Sequence, residues 1–244
     1  MLFWRSTLFN ILFYGTTAVT CLLCLPGLFM PKRQAMWVIK FFVHSVHFLE
    51  KHILNLDYEV RGADNIPASG SFIVAAKHES PYETMKLCIL FDEPAIVLKK
   101  ELLWIPIWGW FLAKTDPIAI NRSKLRRSLN QITEGARRIK EQGRPIVIFP
   151  QGTRVLLSQT PKEKPYKIGV ARAAEAAGLP VIPLALNTGV FWPRKSWIKK
   201  PGKVIFEFLL PVPPNLGVYE IMKDLEMRIE EHSRRLADEA LQSQ

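Results

Sequence analysis

The sequence predicts an α/β fold, a mixed and mostly parallel sheet of about seven strands flanked by helices, preceded by an N-terminal membrane-associated helical pair. Two observations carry this. From Asp57 onward, short apolar runs alternate with segments of helical period. Before that, Ser6 through Pro31 contains no charged residue and is mostly apolar. The chain therefore divides into N-terminal membrane-anchoring helices at residues 1–56 and an α/β domain at residues 57–244.

The first apolar run is long enough for a membrane helix, which needs about 20 residues, although Gly15, Pro26 and Gly27 interrupt it. A shallow or re-entrant insertion remains open beside a full span. A secretory signal fits less well, because only Arg5 precedes the run and no small-x-small cleavage site follows it. Lys32, Arg33 and Lys40 after the run outnumber Arg5 before it, which places the rest of the chain in the cytoplasm. Gln34 to Leu54 reads as a second, amphipathic helix at the membrane face. It carries His44, His47 and His52, of which the first two are helix neighbours, but no matching metal-ligand set occurs elsewhere. Cys21 and Cys24 form C-x-x-C without a partner pair and read as packing residues, and with Cys88 they give no disulfide framework.

In the second part, strands are predicted at Tyr58–Arg61, Phe72–Ala76, Ala95–Leu98, Ile118–Ile120, Ile146–Phe149, Val181–Leu186 and Val204–Leu209. Helical periodicity fits Glu83–Phe91, Lys124–Glu141, Lys167–Ala177 and Tyr219–Leu241. Gly143 and Gly178-Leu179-Pro180 supply helix stops. The Trp-rich stretch Leu102–Leu112 reads either as the wall of an apolar groove or as a buried helix.

The chain has 244 residues and a formal net charge of +11, so an anionic partner is expected. Nucleic acid is disfavoured, since no zinc-finger spacing, RNA-recognition aromatic motif or recognition helix occurs. The basic clusters instead alternate with Trp104, Trp108, Trp110, Trp192 and Trp197, the composition of a membrane-interface surface.

His78-Glu79-Ser80-Pro81-Tyr82-Glu83 follows the apolar run Phe72 to Ala76. An imidazole titrates near neutral pH and can take a proton from a hydroxyl, and a carboxylate on its second nitrogen fixes the tautomer. Five residues apart on one helix, the two would sit about 140° apart around the axis and could not easily touch. Pro81 suits a first helical position, which leaves His78 in the loop before the helix. Ser80 to Glu83 also spells a capping box, so a purely structural role for the acid stays open.

Phe149-Pro150-Gln151-Gly152-Thr153-Arg154 likewise follows a strand. Gly152 allows backbone amides to approach a ligand, and Arg154 offers a planar fork suited to phosphate. By itself this is equally a Pro-x-Gly turn with a solvated arginine. No G-x-S-x-G elbow, P-loop or G-x-G-x-x-G occurs, so no serine nucleophile or nucleotide cofactor is expected.

Four blocks in order resemble the glycerolipid acyltransferases of the 1-acylglycerol-3-phosphate type, the PlsC-like family. His78 to Glu83 is similar to its His-x-x-x-x-Asp. Gly109-Trp110-Phe111 through Ile118-Ala119-Ile120-Asn121-Arg122 is similar to its Gly-to-Arg acceptor-binding block. Phe149 to Arg154 is similar to Phe-Pro-Glu-Gly-Thr-Arg, and Val181-Ile182-Pro183-Leu184-Ala185 to a Val-Pro-centred strand. Two positions depart: Glu83 is one methylene longer than the family's Asp, and Gln151 replaces a Glu, removing a charge beside the expected phosphate site.

The resemblance implies acyl transfer from a thioester, acyl-CoA or acyl-ACP, to the free sn-2 hydroxyl of 1-acylglycerol 3-phosphate, forming phosphatidic acid in phospholipid biosynthesis. It implies that His78 and Glu83 are catalytic and that Arg122 and Arg154 clamp the phosphate. Gly152 and Thr153 would add contacts, Gln151 would lie beside the phosphate, and Lys100 would add a further cation. No cofactor or metal is implied beyond the thioester co-substrate. The implied partners are a lysophospholipid, the acyl thioester, the membrane surface and an acyl carrier protein, with no nucleic acid. The implied location is a bacterial-type inner membrane, with the catalytic domain on the cytoplasmic side. Two alternatives stay open: another lysolipid acceptor such as a lyso-aminolipid, and a non-catalytic membrane lipid-binding protein.

Overall fold

The computed structural model describes the whole chain except Cys24, Met30, Ser243, Gln244 and the side chain of Arg33. The C-x-x-C pair therefore falls partly outside the described residues. Two helices open the chain, α1 (Leu2–Leu23) and α2 (Lys32–Leu49), the second running into a π-helical turn at Glu50–Leu54. The strands are β1 (Leu56–Arg61), β2 (Ile73–Ala76), β3 (Ala95–Lys99), β4 (Ile118–Ile120), β5 (Ile146–Ile148), β6 (Val181–Leu186) and β7 (Gly202–Phe208). Between and after them lie α3 (Pro81–Leu90), α4 (Trp108–Lys114), α5 (Leu125–Glu141), α6 (Gly169–Ala177), α7 (Thr188–Phe191) and α8 (Val218–Gln242).

All strands join one sheet in the order β1-β7-β6-β2-β5-β3-β4. Only β6 and β7 pair antiparallel, and the edge strand β1 follows β7 in parallel, so β1 and β7 run against the rest. The mixed, mostly parallel sheet expected from the sequence is present. Its central strands are apolar without alternation because both faces are covered. Every residue of β2 and β6 is buried.

The period of two within β2 assigns the two cores. Val74 and Ala76 join a cluster that includes Phe9 from α1, Phe42 and Val46 from α2, and Tyr82 and Leu87 from α3. Ile73 and Ala75 face the opposite cluster, built by Ile132 and Ile139 of α5, Val170 and Ala174 of α6, and Leu225 and Ile229 of α8. The N-terminal pair thus covers one face of the sheet as well as presenting apolar surface outward. Trp4, Ile11, Tyr14 and Leu22 on α1 and Trp37, Phe41 and Phe48 on α2 are exposed. Among the described residues, α1 is the one helix long and apolar enough to cross a membrane.

A polar seam ties α1 down. Ser6 Oγ accepts from the backbone N–H of Lys199 at 3.0 Å, and Lys199 Nζ donates to Asn10 Oδ1 at 2.6 Å. The indole N–H of Trp197 donates to Thr7 Oγ1 at 3.0 Å, while Trp192 meets Phe9 edge-on at 5.3 Å. Burial pushes the Lys199 ammonium down to about 8.

The stretch Leu102–Leu112 is not a single buried helix. It breaks into a 3-10 turn at Lys100–Trp104 and α4, with Trp104, Ile105 and Trp110 exposed. The break centres on Pro106 and on Ile107, whose φ of +63° is rare for a β-branched residue. Gly109 is required here, since a Cβ would lie 2.6 Å from the carbonyl oxygens of Leu102 and Leu103.

Candidate active site

Strands β2, β5, β3 and β4 are parallel neighbours, so the loops leaving their carboxyl ends open on one edge of the sheet. His78 lies two residues past β2, Phe149 one past β5, Arg122 two past β4, and Lys99 ends β3. Sheet topology alone brings these distant motifs together.

His78 Nδ1 lies 2.7 Å from Glu83 Oε1. The contact is possible because Ser80 is the N-cap of α3, extended at φ −141° and ψ 165°, so His78 precedes the helix. The carboxylate of Glu83 is fully buried and held by backbone donors. Glu79 N–H and Ser80 N–H donate to Oε1 at 2.9 and 2.8 Å, and Ser80 N–H reaches Oε2 at 3.1 Å. Ser80 Oγ accepts from Tyr82 N–H at 3.2 Å, so the capping box also exists. One side chain therefore starts the helix and orients the imidazole. A carboxyl that accepts from two backbone N–H groups suits Nδ1–H as a further donor, which leaves Nε2 facing outward as an acceptor. The Phe149 ring stacks on the imidazole at 4.1 Å and 22°. Val155 N–H donates to the His78 carbonyl at 2.7 Å, pinning the loop after β5 to the same residue.

His78, Arg122, Gly152, Thr153 and Arg154 line one cavity of about 540 Å³, with apolar walls from Leu98, Leu102, Ile120, Leu129, Ile132 and Val170. Gly152 has φ +68°, and the turn is closed by its N–H donating to the Phe149 carbonyl at 2.9 Å. A guanidinium N–H of Arg122 donates to the Gly152 carbonyl, which holds β4's loop against the turn. A larger open groove of about 760 Å³ lies beside β1 and β7, where Arg61 pairs with Glu239 at 3.2 Å, and none of the motif residues lines it.

Two sequence expectations are corrected by this geometry. Lys100 opens the 3-10 turn and does not line the cavity; Lys99, one residue earlier at the strand end, does. Gln151 is buried and also absent from the lining. Its amide Nε2 donates to the Lys164 carbonyl at 3.3 Å, on the side of the following loop.

A family model described as Acyltransferase matches residues 57–187. The chain belongs to the acyltransferase family. It is 36% identical over 173 residues to the 1-acyl-sn-glycerol-3-phosphate acyltransferase of Pseudomonas aeruginosa, covering 71% of this chain and 66% of that protein. The enzyme of the same name from Saccharomyces cerevisiae is 28% identical over 202 residues, covering 82% of this chain and 64% of that protein. The chain thus spans about two thirds of the length of these relatives. The crystal structure of PlsC, the 1-acyl-sn-glycerophosphate acyltransferase from Thermotoga maritima, superposes with a TM-score of 0.77 at 24% identity. That match covers 97% of this chain and 98% of the other, and shares the fold.

In this acyltransferase three features near the dyad escaped the sequence reading. The first is the Phe149 stacking. Its signal was an aromatic at a strand end, which also fits an ordinary core residue. The second is Lys167, which lines the cavity from beyond the loop that follows Arg154. The third is Glu79, 1% exposed, whose carboxylate accepts from Gly189 N–H at 2.8 Å on the side away from the cavity.

Burial pushes the Glu79 carboxyl up to about 7, opposed by Lys77 and the Gly189 N–H and aided by Glu83 and Glu230. The folded state thus holds this proton more tightly than the unfolded chain, whose carboxyl has its ordinary value of 4.5. The stabilisation is fully present below that value and is lost as pH rises through about 7. In detergent, the Tm of the parent is expected to fall between about pH 5 and about pH 7.5 more steeply than that of Glu79→Gln. Parallel profiles for the two proteins would remove Glu79 as the cause.

Proposed function

We propose that this acyltransferase moves an acyl group from an acyl thioester to the free sn-2 hydroxyl of 1-acylglycerol 3-phosphate, forming phosphatidic acid. The observation that carries the reading is the His78–Glu83 contact of 2.7 Å opening on a cavity that also holds Arg122, Gly152, Thr153 and Arg154. An oriented base beside an anion site suits an alcohol carried by a phosphate. The relatives named 1-acyl-sn-glycerol-3-phosphate acyltransferase support the same acceptor.

In this reading Nε2 of His78 takes the hydroxyl proton as the oxygen attacks the thioester carbonyl carbon. The C–O bond forms, the tetrahedral intermediate collapses with loss of the C–S bond, and the imidazolium returns the proton to the thiolate. Glu83 stabilises the imidazolium without taking its proton. Arg122 and Arg154 bind the acceptor phosphate, while Gly152 and Thr153 add backbone and hydroxyl contacts. The apolar walls receive an acyl chain. The donor is acyl-CoA or acyl-ACP, and no further cofactor takes part.

The exposed apolar faces of α1 and α2 support work at a membrane. We place the site on the cytoplasmic side of a bacterial-type inner membrane, where both lipids diffuse in two dimensions. The intact dyad speaks against a pure lipid binder, which needs no oriented base.

The test is transfer of a labelled acyl group from acyl-CoA or acyl-ACP to a panel of lysolipids by the full chain in vesicles. Transfer to 1-acylglycerol 3-phosphate is expected. Transfer only to an aminolipid acceptor would replace the substrate, and transfer to none would favour the binder. Arg154→Ala is expected to raise the acceptor KM by about tenfold while kcat stays within about twofold. An unchanged KM would remove Arg154 from the clamp.

A further inference from the structure

We propose that Lys167 completes a three-cation phosphate site with Arg122 and Arg154 and thereby selects a phosphomonoester over a phosphodiester acceptor. This rests on the phosphate-acceptor reading above and adds the residue that sets headgroup specificity.

Lys167 stands just before α6, after the chain has left the turn at Arg154 and looped out through residues 155–166. Its backbone N–H donates to the Pro150 carbonyl at 3.0 Å, which brings it back onto the same turn. A Cβ placed on Gly152 would lie 3.1 Å from Lys167 Nζ, so the ammonium rests against the open face of that glycine. Lys167 and the two arginines are all exposed and all line the cavity that contains His78.

None of the three forms an ion pair among the described residues. Lys99, the other cation of the lining, differs: its ammonium lies 3.7 Å from Glu101 Oε1 and is partly neutralised. Arg122 gives one N–H to the Gly152 carbonyl but keeps others for a ligand. Three cations around one glycine turn, none in a contact ion pair and only Arg122 feeling the Glu101 carboxylate at longer range, suit a group with more than one negative charge.

A phosphomonoester carries about −1.5 to −2 at pH 7 and presents three terminal oxygens. A diester carries a single charge and presents two. Two guanidinium forks match the diester's oxygens, and the third cation finds its partner only on a monoester. An ammonium acts as a point charge there, without demanding bidentate geometry.

The experiment uses the full chain in vesicles, with 1-acylglycerol 3-phosphate as the monoester. The diester is 1-acylglycerophosphoglycerol of the same chain length, measured as an acceptor or as a competing inhibitor. Lys167→Met is expected to raise the monoester KM by about tenfold or more, with kcat within about twofold. The diester's constant should change by less than about twofold, and Lys167→Arg should restore most of the monoester KM. An unchanged monoester KM, an equal loss for both lipids, or a fall in kcat alone would overturn the assignment. Failure of the parent itself to acylate the monoester would instead overturn the phosphate-acceptor reading on which it stands.

Discussion

Replacing His78 with alanine is expected to lower kcat by about 10²–10⁴-fold while the acceptor KM stays within about threefold. Among the described residues lining the cavity, the imidazole is the one group held by a buried carboxylate with its other nitrogen left as an acceptor. Its removal deletes proton transfer but none of the three cations. The side chain borders the open cavity, so its loss enlarges that space instead of leaving a sealed void, and the fold should survive. Acyl transfer at the parent rate by His78→Ala would reject the base. Glu83→Gln should also be slow, because an amide can present the wrong hydrogen-bonding partner to Nδ1. It should additionally destabilise α3, since the carboxylate caps three N–H contacts at the helix start.

The largest effect on stability is expected behind the dyad. Lys86, one turn beyond Glu83 on α3, pairs with Glu50 at the start of the π-helical turn, and both are 0% exposed. The ammonium also sits 4.5 Å from the Tyr82 ring centroid. Burial pulls the Lys86 pKa down, and Glu50 opposes the shift by contact and charge. Glu50 Oε1, Tyr82 Oη and His47 Nδ1 have no hydrogen-bond partner among the described residues, and His47 Nδ1 lies 3.7 Å from Glu50 Oε2.

Breaking a buried pair from one side costs about 3–5 kcal/mol. Lys86→Met is therefore expected to lower Tm by roughly 10 °C for a chain of this size. Glu50→Leu combined with Lys86→Met should recover much of that loss, because the uncompensated charge is gone. A Tm unchanged by Lys86→Met, or a double variant no better than the single one, would show that the pair carries little stability. The contact joins the π-helical turn after α2 to the helix bearing Glu83, so looseness here should lower kcat as well as Tm.

Much of this organisation was legible before any coordinates. A short apolar run such as Val181–Leu186, opened by Gly178-Leu179-Pro180, reads as a strand covered on both sides, and the structure places it at the same residues. The His78–Glu83 pairing was readable because Pro81 and Ser80 mark where the helix starts. Spacing settles a contact when both partners lie within one turn of a capped helix start.

Other features had no local signal. Lys99 and Lys100 are chemically equal in the sequence, and only the end of β3 decides which reaches the cavity. Gln151 reads as a ligand because it sits between Pro150 and Gly152, yet the turn directs it toward Lys164. Leu102–Leu112 has the composition of a helix, but its path is set by close backbone packing at Gly109 and the unusual Ile107.

The sequence by itself determined the seven strands, the four main helices of the α/β part, the place of His78 ahead of a capped helix start and the basic, tryptophan-rich composition, because these follow from periodicity, capping and composition within short stretches. Only the tertiary structure decided which cations surround the Gly152 turn, that Phe149 covers the imidazole, and that α1 and α2 complete a core. Those relations join residues tens of positions apart, and the order of parallel strands, which no local pattern encodes, sets them.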